Sequence, residues 1–216
     1  MIRFLRPLIG LAALSLTLPA GAEVAQKDPG GFAVHHSLRV SADVWATWSA
    51  LTAPAKWWDS AHTWSGKADN LYIDSQATGC FCELMPVPAG APEGTRRGSV
   101  EHMHIVNAQP GKLLRMRGAL GPMQGEPIDG VLTIAIKPGA KGTEITWDYV
   151  VGGYFRMKPD DLAPMVDMVL GQQVHRLGAM LGEVTETAAG AESKPAPQPP
   201  VEEAAKSAGK ANDKAE

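Results

Sequence analysis

Three tyrosines, four phenylalanines and two cysteines are all that 216 residues hold of those types, and the 20 lysines and arginines do not outnumber the 23 aspartates and glutamates. With a formal net charge of −3 and no basic stripe, the chain lacks the electrostatic footprint of a nucleic-acid binder. No apolar run reaches the roughly 20 residues that a membrane-spanning helix needs. Catalytic signatures are missing as well. Glu83, Glu101 and Asp148 fall opposite the apolar phase of their strands or near strand ends, and none forms a spaced carboxylate pair or a nucleophile, base and orienter set. No glycine-rich loop is placed to cradle phosphate, and no cofactor is expected.

What is present begins with a leader. Arg3 and Arg6 precede an apolar run over residues 8–18, and Ala20-Gly21-Ala22 is a small-residue cleavage site. These three parts make residues 1–22 a secretory signal peptide with the cut after Ala22, which predicts a periplasmic or secreted protein. No cysteine stands at the cut to carry a lipid anchor, and with no other long apolar run no transmembrane segment is expected after cleavage. At the other end, residues 188–216 are rich in Ala, Pro, Lys and Glu and have almost no large apolar side chain. Such a tail cannot bury enough surface to offset its ordering entropy and is expected to be disordered. Residues 23–30 read as a short linker, leaving 31–187 as one domain.

Within that domain the apolar period changes in order. Phe32, Val34, His36, Leu38 and Val40 alternate with Ala33, His35, Ser37 and Arg39, the two-residue period of a strand. Ser41 reads as the N-cap of a short helix bearing Val44, Trp45, Trp48 and Leu51, and Pro54 interrupts it before a second helical turn with Trp57 and Trp58. Strands are predicted over 71–75, 79–85, 98–108, 112–118, 130–137 and 143–153, separated by Gly/Pro turns too short for parallel crossovers. From about 161 to 187 Leu162, Val166, Val169, Leu170, Leu177, Leu181 and Val184 repeat at helical spacing, and Pro164, tolerated in the first turn, places the start nearby. The expected class is α+β: about seven strands in order β-α-α-β6-α, forming a curved antiparallel sheet with the long helix over its concave face. Its inward side should carry Val34, His36, Leu38, Leu114, Met116, Leu132, Ile134, Ile136, Ile145, Trp147, Tyr149 and Val151.

The run Val40-Ser41-Ala42-Asp43-Val44-Trp45 followed by a Trp-Trp pair resembles the opening of the SRPBCC or START-like superfamily, the helix-grip fold. Gly98-Ser99-Val100-Glu101-His102 leading to Pro110-Gly111-Lys112-Leu113-Leu114, and Gly142-Thr143-Glu144-Ile145-Thr146 before the last helix, fit it too. The resemblance lies close to the polyketide cyclase/dehydrase and Hsp90 ATPase activator homologue branches. The resemblance implies a cavity between sheet and helix for an apolar, aromatic or lipid-like small molecule, and no particular reaction. The leading expectation is therefore an exported, monomeric small-molecule binding protein. The alternatives are a polyketide cyclase/dehydrase-like enzyme and an envelope protein-interaction module.

Candidate ligand contacts are Trp147, Tyr149, Met116 and Ile134 on the sheet, Leu120 and Met123 on the long loop 118–130, and Gly171, Val174 and Gly178 on the helix. That loop, Gly-rich and about twice the usual hairpin length, is a candidate lid. His36, His102 and Tyr149 are the candidate proton-transfer groups. Cys80 and Cys82 lie two apart on one strand, where extended Cα atoms stand about 6.5–7 Å from each other, at or beyond the limit for a disulfide. They are read as a bridge needing local distortion, as buried thiols, or, if Cys80 falls opposite His104 and Cys82 opposite His102, as a zinc or copper site. The leader is tested by intact-mass measurement of the exported protein: the chain should begin at Glu23, and a retained leader would refute the cleavage site.

Overall fold

The computed structural model describes residues 23–184. The leader 1–22, the tail 188–216 and the last three residues of the expected domain, 185–187, lie outside the described residues. The chain forms strands β1 (Glu23–Asp28) and β2 (Gly31–Val40), helix α1 (Val44–Leu51), three 3-10 turns, and strands β3 (Leu71–Ile73), β4 (Cys80–Leu84), β5 (Ser99–Gln109) and β6 (Leu113–Arg117). A fourth 3-10 turn then precedes β7 (Ile128–Gly139), β8 (Gly142–Gly153) and helix α2 (Pro159–Leu181). All eight strands join one antiparallel sheet in the order β1-β2-β8-β7-β6-β5-β4-β3. Among the described residues no helix is long and apolar enough to cross a membrane.

The fold is thus α+β with eight strands, one more than expected. The extra strand is β1, which lies where a linker was predicted. Its sequence, Glu-Val-Ala-Gln-Lys-Asp, shows little apolar alternation because it is a largely exposed edge strand, and the main-chain ladder to β2 holds it there. Lys27 on this edge also reaches Asp160 of α2 at 3.5 Å. A charged edge of this kind discourages pairing with another chain.

The inward set is buried as its alternation predicts. Val34, His36 and Leu38 of β2 stand opposite Tyr149, Trp147 and Ile145 of β8, and every member from Leu114 to Val151 is under one-tenth exposed. The ladder register shifts at Val24/Gln26, Phe81/Cys82 and Ile105/Asn107. Each bulge inserts a residue and bends its strand, which curves the sheet toward α2.

Two capping details differ from expectation. The N-cap of α1 is Asp43, whose carboxylate accepts the N–H groups of Trp45 and Ala46. Ser41 instead donates its N–H to the carbonyl of Gly182. Helix α2 starts at Pro159, so Pro164 lies in its second turn, where it withholds a donor from the i−4 carbonyl. The helix stops at Leu181, short of the expected end, because Gly182 takes a left-handed conformation and its N–H bonds the carbonyl of Gly178.

Helix α2 packs on β2 and β1. Its C-terminal end is fastened to the corner between β2 and α1 by Ser41 N–H to Gly182, Ala42 N–H to Leu181 and Val184 N–H to the carbonyl of Arg39. Gly142 of the tight β7–β8 hairpin sits beneath this corner at φ +113°, and a Cβ there would lie 2.0 Å from the carbonyl oxygen of Val40. Both the conformation and the close backbone approach require glycine. Gly142→Ala should therefore destabilise the domain by about 1–3 kcal/mol, read as a lower urea midpoint. An unchanged midpoint would refute the constraint.

Candidate functional site

The middle of the sheet–helix interface is filled. The Trp57 indole donates to the carbonyl of Ala50 at 2.9 Å and meets Trp147 edge-on at 6.1 Å. Beneath them only about 10 Å³ remains, bordered by Met116, Leu120, Ile134 and Trp147 among others. The indole nitrogen of Trp147 is buried there without a partner among the described residues.

Open space lies instead under the N-terminal half of α2. A cleft-like cavity of about 450 Å³ is lined by Leu162, Met165, Val166, Met168, Val169 and Leu170 of the helix, by Trp58 and residues 61–64, by residues 120–123, and by His102 of β5. Its walls are apolar, and Met165, Met168 and Trp64 at its border are roughly half exposed. Methionine and aromatic walls suit guests of irregular shape.

The segments around this cavity are tied down individually. Gln173 is fully buried. Its side-chain oxygen accepts the Asp59 N–H at 2.8 Å. Arg176 donates to the carbonyl of Trp57 at 2.8 Å, and His62 Nε2 lies 2.9 Å from Gln172 Oε1. On the opposite side, the Tyr149 hydroxyl donates to the carbonyl of Gly118 at 3.0 Å and accepts the Leu120 N–H at 3.2 Å. Burial pushes its ionisation far above the usual tyrosine range. Gly130 leaves room for the ring, since a Cβ there would come within 2.5 Å of it. Glu126 accepts two donors from the Arg156 guanidinium, and Gln124 bonds the carbonyl of Glu101. The long loop is therefore a fastened wall that carries a 3-10 turn, Gly121–Gly125.

The polar floor comes from two neighbouring strands. Glu83 on β4 has no exposed surface, and His102 on β5 is 6% exposed. His102 Nε2 stands 3.0 Å from Glu83 Oε2. The same carboxylate accepts the N–H of Trp64 at 3.0 Å through Oε2 and that of Ser65 through Oε1. Burial alone would raise the Glu83 pKa, but hydrogen bonds from Ser65, Trp64 and His102 outweigh it and hold the carboxyl below the usual range. Burial also lowers the His102 pKa, and the pull of Glu83 does not restore it. At neutral pH the pair is accordingly a carboxylate beside a neutral imidazole. The ring of Phe81 lies 4.9 Å from that of His102, and Trp58 packs edge-on against Phe81 at 5.1 Å.

The sequence-derived candidates separate clearly against this geometry. His102, Leu120 and Met123 border the cavity. Trp147, Met116 and Ile134 belong to the filled centre, and Tyr149 is an anchor whose hydroxyl is taken twice by the backbone. Gly171 and Val174 are buried without bordering the cavity. Gly178 allows close packing: a Cβ would stand 2.6 Å from Leu38 Cδ1. His36 lies away from the cavity, its Nε2 3.1 Å from Asp167 Oδ1 without hydrogen-bonding geometry. Burial lowers its pKa although Asp167 opposes that.

The metal arrangement is overturned. Cys80 does fall opposite His104, but the bulge after Phe81 sets Cys82 opposite Glu101. The two sulfurs are joined to each other, with their Cα atoms 5.4 Å apart. Among the described residues no three His, Cys, Asp or Glu side chains gather to hold a metal ion.

Glu83 and the aromatic wall of Trp58 and Trp64 were missed. Glu83 shares the face of Phe81, two residues before it on β4, and the extra residue of the facing bulge is His102 on β5, since Phe81 pairs with Met103 and Cys82 with Glu101. The available signal was the two-residue step from Phe81 to Glu83, which puts the carboxylate in phase with an apolar residue.

No protein-family model and no curated protein matches the chain. Among solved structures, it is similar to a protein from Mesorhizobium loti, with TM-score 0.47 and 16% identity over 69% of this chain and 96% of that one. It is also similar to a conserved protein of unknown function from Enterococcus faecalis, with TM-score 0.47 and 15% identity over 78% and 80%. A third is the di-domain ARO/CYC StfQ from the steffimycin biosynthetic pathway, with TM-score 0.47 and 12% identity over 71% of this chain and 51% of that chain. These likenesses concern the course of the chain alone.

Glu83→Leu would strand the N–H groups of Trp64 and Ser65 and leave His102 without its partner. It should cost about 3 kcal/mol or more in urea unfolding, and a loss below about 1 kcal/mol would show that the carboxylate does not hold the segment.

Proposed function

We propose that this chain is an exported, monomeric binding protein of the SRPBCC or START-like superfamily that holds an apolar or aromatic small molecule under the N-terminal half of α2. The observation that carries this reading is the cavity of about 450 Å³, whose volume lies within the range typical of small-molecule sites and whose walls are almost wholly apolar. Its supporting shell is built: Gln173, Arg176, Tyr149 and Arg156 each fasten a bordering segment, so the space does not depend on an unsupported loop. The leader reading supports a site of action outside the cytoplasm. The resemblance of the opening and hairpin motifs to the superfamily supports a sheet–helix cavity as the place of binding.

The test uses the mature chain and the neutral fluorescent probe N-phenyl-1-naphthylamine. One probe should bind per chain, and Val166→Trp, which fills the cavity from α2, should weaken binding at least about tenfold while the melting temperature shows that the fold persists. Absence of saturable binding by the wild-type protein, or undiminished binding by a folded Val166→Trp variant, would refute the site.

A further inference from the structure

Apolar walls discriminate by shape, whereas one buried acceptor discriminates by whether the guest brings a proton. The polar side chains bordering the cavity are nearly all committed elsewhere. The Trp58 indole donates to the carbonyl of His62 at 3.0 Å, the Thr63 hydroxyl donates to the carbonyl of Ser60 at 2.8 Å, and His62 Nε2 is engaged with Gln172 at the half-exposed rim. His102 differs. It is the buried residue of the three strands β4, β5 and β6 whose imidazole borders the cavity.

Its tautomer follows from its neighbour. Glu83 is ionised and only accepts, and two of the donors it receives are backbone N–H groups that cannot change role. The His102 nitrogen facing it, Nε2, must therefore carry the hydrogen. A neutral imidazole with its proton on Nε2 presents Nδ1 as a lone pair, and among the described residues Nδ1 has no hydrogen-bond partner. The arrangement is an oriented acceptor, backed by a buried negative charge, at the floor of an apolar chamber.

We infer that the cavity selects neutral aromatic guests bearing a hydroxyl, phenols or enols, whose O–H donates to Nδ1 of His102, and that it disfavours carboxylates. A guest without a donor would bury Nδ1 unsatisfied, which costs free energy. A carboxylate would bring a second negative charge close to Glu83 in a region of low dielectric, where like charges repel strongly. Glu83 is a positioning residue here, acting through the ring it orients. This inference rests on the apolar-guest reading of the same cavity.

The experiment measures dissociation constants of the mature chain for naphthalene, 2-methoxynaphthalene, 2-naphthol and 2-naphthoate, four guests sharing one ring system. The expected order places 2-naphthol about tenfold tighter than 2-methoxynaphthalene, which keeps the oxygen but lacks the proton, and 2-naphthoate weakest. In His102→Leu the ratio between 2-naphthol and 2-methoxynaphthalene should fall to near one. Equal binding of those two by the wild-type protein, or 2-naphthoate as the tightest ligand, overturns the inference while leaving an apolar site in place. A ratio that persists in a folded His102→Leu variant overturns it too, and if that variant does not fold the wild-type series decides alone. Failure of all four to bind overturns the apolar-guest reading itself.

Discussion

A carboxylate with no exposed surface must have every lone pair answered, and in this domain that requirement organises the region around the cavity. Glu83 reaches from β4 to the N–H groups of Trp64 and Ser65 and to the ring of His102. One residue thereby fastens the segment after α1 to the sheet, fixes which imidazole nitrogen carries the proton, and supplies a buried negative charge beside an apolar cavity. Remove the charge and two backbone donors lose their partner at once, which is why the pair has more structural weight than a surface ion pair would.

Helix α2 has two halves with different work. Its C-terminal half lies on the sheet closely enough for Gly178 to be needed, and backbone bonds join its end to the corner after β2. Its N-terminal half roofs the cavity and reaches its neighbours through long side chains and the Lys27–Asp160 pair. Pro164 omits one hydrogen bond in the turn of this half that borders the cavity.

Much of the fold was legible because alternation along β2, β6, β7 and β8 is uninterrupted: all twelve expected inward residues are buried. The short hairpin turns likewise marked the antiparallel order. The site was less legible. Trp147, Gly171 and Gly178 pointed to the centre of the sheet–helix interface, but Trp57 crosses from the segment after α1 and fills that centre, a long-range packing event with no local signature. Glu83 keeps the phase of Phe81 along β4, and a charged residue near a strand end gave no sign of its burial, while the bulge lies across from it at His102 of β5. His102 was recognisable as a candidate, while its partner was not. The polar edge strand β1 carried no apolar pattern to read, and Asp43 and Ser41, two residues apart, are both competent caps that only the backbone geometry distinguishes.

The bond between Cys80 and Cys82 closes a loop of so few residues that it removes little freedom from the unfolded chain, because such stabilisation grows with the length of chain enclosed. Its effect must then be sought in the folded strand. It clamps Cys80 and Cys82 on the strand that faces the bulge of β5, whose extra residue is His102. The cross-link acts less as a staple on the domain than as a local brace, set across from the bulge that carries His102 while its own two sulfurs line no part of the cavity.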